Sequence, residues 1–471
     1  MKQILQDMSS GLTAVVECPA PALSSNSLKI VTNVSLISAG TERMLVGFGK
    51  ASYIDKARQQ PEKVKMVLDK VVTDGLITTF DAVRSKLSKP LPLGYSNVGV
   101  IQEISLKTSK FKVGDRVVSN GAHADVVAVK KNLCAKIPDE VDDESAVFTV
   151  VGSIGLQGVR LAQPTLGESF VVIGVGLIGL LTVQLLRANG CRVLAIDFDK
   201  DKLSLAAKFG AEVCNPASGG DVLVQATSFS RDRGVDGVII TASTQSNDPV
   251  KQAAQMCRKR GRIILVGVVG LDLDRRDFYE KEISFQVSCS YGPGRYDPNY
   301  EEVGNDYPIG HVRWTEQRNF EAFLDMLAVG AIDVKPLISS RFDFTNAPEA
   351  YEELTSNDSS LGILLDYRSE PLERLSRSIT LSKEYEFASG SPVIGFIGAG
   401  NYASRILIPA FNKAGGQLHT LVTANGVNSV IHGKKAGFLF GSTDVGSMLK
   451  EPAINTVVIA TQHNSHAQYA I

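Results

Sequence analysis

The feature that most constrains this chain is Gly174-Val175-Gly176-Leu177-Ile178-Gly179, set between the apolar run Phe170-Val171-Val172-Ile173 and a helical stretch from Leu180 to Ala188. A G-x-G-x-x-G pattern carries meaning only in that context, with a strand before it and a helix after it. Gly174 then permits the tight turn, Gly176 lets backbone approach a pyrophosphate, and Gly179 lets the helix pack closely on the strand. The positive helix end at Leu177 and Ile178 draws the phosphates. Asp197 closes the next apolar run, where a carboxylate accepts hydrogen bonds from the adenosine ribose hydroxyls and repels a 2′-phosphate. The expected cofactor is NAD, with NADP disfavoured, although Lys200 and Lys202 stand close enough to compensate a 2′-phosphate. The alternative is that the glycines serve packing and Asp197 caps a turn.

The same alternation continues with a helix near Lys202 to Phe209, a strand at Gly237 to Ile240, a helix near Pro249 to Arg258 and a strand at Arg262 to Val266. This predicts an α/β, doubly wound parallel sheet over residues 156–289. Residues 1–155 differ, with short β-branched runs such as Lys29 to Val34 and Val98 to Ile101 between Gly, Pro, Asn and Asp. They predict a β-rich domain, interrupted by a helical segment from Asp55 to Leu87 where Val64, Val67, Leu68 and Val71 recur at helical spacing. Residues from about 290 to 366, including the amphipathic run Glu316 to Val329, are expected to complete that domain. A charged connection over 367–391 leads to a second strand and glycine turn, Val393 to Ile397 and Gly398-Ala399-Gly400-Asn401-Tyr402-Ala403. Residues 392–471 thus read as another dinucleotide unit. Only a short helical start follows its strand Thr456 to Ala460, so a partial unit and a truncated chain are expected.

Length and composition agree: 471 residues suffice for about three units, and 42 glycines suit a chain rich in strand-to-helix turns. A net charge of -1, with no long Lys/Arg run, argues against nucleic acid or anionic membrane as partners and for a small molecule. The six cysteines are scattered without a C-x-x-C pair and read as reduced core residues. Charge interrupts the N-terminus before an apolar segment can form, and no run approaches the ~20 residues that span a bilayer. The expected compartment is the cytoplasm, and a homo-oligomer is expected.

Ser38-Ala39-Gly40-Thr41-Glu42, Leu93-Gly94-Tyr95-Ser96-Asn97-Val98-Gly99, Val113-Gly114-Asp115-Arg116-Val117 and the first glycine turn together resemble the medium-chain dehydrogenase/reductase family over residues 1–366. The resemblance implies a GroES-like β domain that precedes, and partly follows, a Rossmann domain. Zinc members of that family carry a Cys, a His and a third Cys or acid where this chain has Ala39, Tyr95 and Thr149. Because a catalytic zinc needs three protein ligands, these positions imply that no zinc is used and that there is no metal site. The resemblance places Thr41 where the family has a proton-relaying hydroxyl. Tyr95, in place of the His, becomes a candidate proton donor to a developing alkoxide. Filling of the vacated space by Tyr95, with Thr41 capping a turn, is the alternative. Glu42 could hold a hydroxyl or pair with Arg43, and a solvated or structural salt bridge is the expected role.

Gly398 to Ala403 and Val457-Val458-Ile459-Ala460-Thr461-Gln462-His463-Asn464-Ser465-His466 resemble the start of the Gfo/Idh/MocA family, with Gly398, Gly400, Asn401 and Ala403 as cofactor contacts. The ribose-reading position near Thr423-Ala424-Asn425 lacks an acid, so the choice between NAD and NADP is open there. A medium-chain domain followed by such a unit resembles bidomain oxidoreductases of bacterial cell-surface polysaccharide formation, which implies a sugar-like substrate. Tyr291, Arg295, His311, Arg313 and Trp314 concentrate aromatic and cationic groups in a Gly- and Pro-rich stretch and are candidate substrate contacts; an oligomer contact or a self-packed loop is the alternative. The expected function is alcohol/ketone redox on a sugar or sugar derivative, against NADPH-dependent reduction of quinones or enones, or a non-catalytic nucleotide-binding module.

Overall fold

Strand formation starts from the β-branched runs of the first 136 residues. They give β1 (Lys2–Gln6), β2 (Thr13–Glu17), β3 (Ser27–Ser38), β4 (Leu91–Pro92), β5 (Asn97–Ile104), β6 (Arg116–Ser119), β7 (Val126–Lys130) and β8 (Cys134–Lys136). The computed structural model describes residues 1–51, 56, 90–105, 110–368, 374–383, 387 and 390–471. The helix expected over Asp55 to Leu87 lies outside the described residues apart from Lys56. β3 is buried on both faces, which its sequence tolerates because half of its side chains are apolar and buried polar ones are bonded, Lys29 to Glu103 at 2.9 Å and the Thr32 hydroxyl to the Ala124 carbonyl at 2.6 Å.

The parallel sheet comprises β9 (Ser169–Ile173), β10 (Arg192–Ile196), β11 (Glu212–Cys214), β12 (Val235–Ile240), β13 (Cys257–Leu265) and β14 (Ser284–Val287), in the order β11-β10-β9-β12-β13-β14. Helices Leu177–Ala188, Lys200–Lys208 and Asp248–Met256 form the crossovers between its strands. The last of these ends before Arg258: Cys257 turns to extended backbone and β13 begins there. The chain then returns: β15 (Ile338–Asp343) and β16 (Gly362–Asp366) join the first sheet, whose order is β15-β16-β3-β5-β6-β8 with β7 also on β3. One apolar core runs from this sheet through helix Thr149–Ala162 into the parallel sheet, so the two layers share a packed boundary.

The C-terminal sheet contains β17 (Ser378–Thr380), β18 (Val393–Ile397), β19 (Gln417–Val422), β20 (Phe440–Ser442) and β21 (Thr456–Ile459), in the order β17-β20-β19-β18-β21. Its strands are parallel except β17, which pairs antiparallel with β20. Five cysteines are buried as expected, but Cys289 is exposed, in the irregular chain after β14. Among the described residues no helix is long and apolar enough to cross a membrane.

Candidate active site

The glycine turn between β9 and helix Leu177–Ala188 has the shape its spacing demands. Gly174 has φ +87°, and a Cβ there would lie 2.6 Å from Cα of Ala242. At Gly179 a Cβ would lie 2.1 Å from the carbonyl oxygen of Gly174, so helix and turn touch through bare backbone. Gly176 faces open space, with no atom of the described residues within 4 Å of its missing Cβ, leaving room for a phosphate at the helix N-terminus. Leu177 is buried and Ile178 half-buried. Asp197 follows β10, and its carboxylate accepts the Val175 N–H at 2.7 Å and the Asp199 N–H at 2.9 Å. The acid is thereby aimed across the turn, where ribose hydroxyls of a dinucleotide lie. Lys202 sits 3.1 Å from Asp199 and is engaged there, while Lys200 is exposed. These residues fit a dinucleotide.

Thr41 and Tyr95 come together. Ser38-Ala39-Gly40-Thr41-Glu42 forms the start of a helix, Ala39–Lys50, and the Tyr95 hydroxyl donates to Thr41 Oγ1 at 3.3 Å. Burial raises the phenol pKa above its ordinary value; hydrogen bonds to Ser38 and Thr41 oppose this, and the Glu42 charge adds to it. The Tyr95 phenol therefore keeps its proton at neutral pH. Thr149 and Ser153, one turn apart at the start of helix Thr149–Ala162, are fully buried, and among the described residues neither hydroxyl has a hydrogen-bond partner.

Glu42 does not pair with Arg43, because adjacent helical residues point to different faces. Arg43 bonds the carbonyls of Leu354 and Asn357 instead. The buried Glu42 carboxylate accepts the Ser38 N–H at 3.2 Å and the Tyr351 hydroxyl, and lies 3.1 Å from His123 Nε2. His123 Nδ1 meets Ser35 Oγ at 2.7 Å, and Ser35 meets the Tyr367 hydroxyl at 2.9 Å. A Cβ on Gly94 would lie 2.5 Å from the His123 ring, so this network sits directly beneath the turn that carries Tyr95. Sequence reasoning missed it.

The candidate substrate residues separate. Tyr291 is buried against Phe320, and its hydroxyl accepts from Asn120; burial pushes its pKa up to about 12. Arg295 pairs with Glu301 at 2.5 Å and lies over the rings of Tyr291 and Tyr296. Trp314 is sandwiched between Arg160, 3.3 Å from the ring centre, and Arg313, 3.8 Å away. Burial, with the Arg313 charge, lowers Arg160 to about 10. Arg160 stands in the last turn of the helix that begins at Thr149, roughly 16 Å along it, so the Trp314 stack is not at the Tyr95 end. His311 is exposed.

Residues 178–304 match the family model described as zinc-binding dehydrogenase. Three similar proteins extend the comparison. The uncharacterized zinc-type alcohol dehydrogenase-like protein YdjJ of Escherichia coli is 23% identical over 57% of this chain and 80% of its own length. D-guloside 3-dehydrogenase of Escherichia coli is 28% identical over 58% of this chain and 75% of its own. The crystal structure of galactitol-1-phosphate dehydrogenase from Escherichia coli superimposes with a TM-score of 0.60 at 20% identity, covering 78% of this chain and 100% of that one. The chain has the medium-chain dehydrogenase/reductase fold. On the family model and the sequence relatives it is an NAD(P)-dependent oxidoreductase acting on a CH–OH group.

The same findings correct the expectation that no zinc is used, because the matching family is a zinc-binding one and the YdjJ relative is of zinc type. That expectation rested on Ala39, Tyr95 and Thr149 alone, and three positions of one chain do not exclude ligands drawn from elsewhere in it. Among the described residues no group of three or more His, Cys, Asp or Glu side chains converges, and the Glu42–His123 pair is already bonded to Tyr351, Ser38 and Ser35. We therefore assign no ligand set, and no step below passes through a metal.

Proposed function

We propose that this chain interconverts an alcohol and a ketone on a sugar or sugar derivative, with NAD(H) rather than NADP(H) in the site formed by Gly174, Gly176, Leu177, Ile178, Gly179 and Asp197. The observation that carries the cofactor choice is Asp197, whose carboxylate is fixed by two backbone N–H groups at the end of β10 and would repel a 2′-phosphate. The sugar assignment follows the names of the similar proteins, D-guloside 3-dehydrogenase and galactitol-1-phosphate dehydrogenase.

When bound, the dinucleotide exchanges a hydride with the carbinol carbon. Tyr95 and Thr41 are assigned the accompanying proton. A phenol whose pKa is raised suits the reducing direction: Tyr95 gives its proton to the oxygen of the carbonyl as the carbon gains hydride, and regains one through the Thr41 hydroxyl. The buried Glu42–His123 network holds the two turns that present these groups. In the 291–314 stretch, exposed His311 and Arg313 are the groups assigned to meet a ligand; Trp314 stacks against Arg313, and Tyr291 and Arg295 hold the start of the stretch. Residues 392–471 are read as the beginning of a Gfo/Idh/MocA-type unit behind the 367–391 connection. The place of work is the cytoplasm, in cell-surface polysaccharide formation, as a homo-oligomer.

The test is a screen of polyols, sugars and sugar phosphates with NAD⁺ and NADH, run beside quinones and enones. With the substrate found, Tyr95→Phe should lower kcat by about a hundredfold or more, the usual contribution of a general acid. Turnover by the Phe variant at the parent rate rejects the proton assignment, and turnover of enones alone rejects the alcohol/ketone reading.

A further inference from the structure

The C-terminal unit repeats the first dinucleotide unit at the start of its sheet and then departs from it. The Gly398 N–H donates to the Val422 carbonyl at 2.8 Å, as the Gly174 N–H donates to that of Ile196 at 2.8 Å. Ile397, Val422 and Ser442 are paired across β18, β19 and β20 as Ile173, Ile196 and Cys214 are across β9, β10 and β11. Thr423 therefore holds the place of Asp197, Ala424 that of Phe198, and Thr443 that of Asn215.

In the first unit the Asn215 side chain donates directly to the Phe198 carbonyl at 3.2 Å, and Phe198 is exposed. In the second, the corresponding gap holds a piece of the N-terminal domain. The Ala22 N–H donates to the Ala424 carbonyl at 2.8 Å, and the Thr443 hydroxyl donates to the Ala20 carbonyl at 2.6 Å. The Ala20 N–H meets the Ser376 carbonyl at 2.8 Å. Gly426 has φ +75°, and a Cβ there would lie 2.3 Å from the Pro19 carbonyl oxygen, so the two backbones meet without room for a side chain. Cys18, Pro19, Ala20 and Pro21 are buried, and Cys18 and Ala20 pack with Val427 and Val430. Thr423, at the ribose-reading position, turns away from the glycine loop to accept the Ser429 N–H at 3.2 Å.

Dinucleotides lie across the carboxyl ends of such strands, with the adenosine ribose at the end of the second. Resting on the reading of Gly398 to Ala403 as a dinucleotide loop, we propose that residues 18–22 are an intrachain plug in the adenosine half of the second site. The docked chain then takes one dinucleotide, in the first unit. The block lies at the adenosine end, and no atom of the described residues lies within 4 Å of the missing Cβ of Gly400. The plug makes the N-terminal segment a gate for the second unit.

The test is the number of dinucleotides held by the whole chain, titrated separately with NADH and with NADPH. Gly176→Asp fits the open space at Gly176 and places a carboxylate where the first pyrophosphate would sit, so it should remove all binding. Adding Ala22→Pro, which deletes the N–H given to Ala424, and Thr443→Val, which deletes the hydroxyl given to Ala20, should restore one equivalent. Gly400→Asp should abolish that regained binding. Thr443→Val, nearly isosteric, serves alone if the combined variant does not fold by circular dichroism. Two equivalents in the parent chain, or residual binding in Gly176→Asp, overturns the plug. So does the absence of any gain in the folded, released variant up to about 1 mM, the top of the usual range for enzyme ligands. No binding in the parent chain would instead strike the first-site reading, and the released variant would still decide the plug.

Discussion

Glu316 offers a perturbation whose size follows from the structure. It is the first residue of helix Glu316–Ala328, capped by Thr315, and it is fully buried beneath the 291–298 stretch. Its N–H bonds the Pro293 carbonyl, and a Cβ on Gly294 would lie 2.8 Å from its Oε1. Among the described residues neither carboxyl oxygen has a hydrogen-bond partner, and Arg295 is already paired with Glu301. Burial first, then the Glu301 charge, raises its pKa from 4.5 to about 8, against the pull of Arg295. Between these values the folded chain holds a proton that the unfolded chain has released, so stability falls as pH rises through the interval. Each pH unit is worth at most about 1.4 kcal/mol, and the full interval about 5 kcal/mol. Glu316→Gln keeps the shape and removes the ionisation, so the variant should lose this part of the pH dependence and be the more stable chain near pH about 8. Trp314, the single tryptophan of the chain, stands two residues away and reports locally in urea unfolding followed by fluorescence. Parallel pH dependence in the parent and the Gln variant would refute the reasoning.

Two further outcomes follow from the packing. Tyr351→Phe takes one of the donors from the buried Glu42 carboxylate and should cost about 1.5–3 kcal/mol, the worth of a hydrogen bond to a charged group, read as a lower thermal midpoint; an unchanged midpoint would mean that Glu42 does not depend on it. Gly152→Ala would put a Cβ 2.1 Å from the buried Phe323 ring and should destabilise by about 1–3 kcal/mol through overpacking, so a variant as stable as its parent would show that the ring moves aside freely.

What could be read in the sequence was what is local. The turn at Gly174 to Gly179 is set by three glycines whose spacing and flanking strand and helix lie within about twenty residues, and Asp197 directly follows the next strand. The periodicity of the parallel sheet was legible for the same reason, save that β13 begins at Cys257, where an extended residue cut the expected helix short. Pairing across long separations was not legible. Glu42 meets His123 and Tyr351, 81 and 309 residues away, and nothing in Thr41-Glu42-Arg43 points to either. The helix Ala39–Lys50 was not legible either, since Ser38 to Glu42 reads only as a family motif. Tyr291 reads as a candidate substrate contact, with a self-packed loop as the alternative, and the fold draws it into the core against Phe320. The metal expectation went furthest astray, since it inferred an absence from three aligned positions.

The central claim is that Gly174 to Gly179 and Asp197 form an NAD(H) site. It is tested most directly by titrating the purified chain and its Asp197→Ala variant with NADH and NADPH, following nicotinamide fluorescence. The parent should bind NADH more tightly than NADPH, and the variant should bind NADH about tenfold to a hundredfold more weakly, as loss of a charge-assisted hydrogen bond requires, with the preference narrowed or reversed. Saturable binding of neither cofactor, or a preference that Asp197→Ala leaves unchanged, would contradict it.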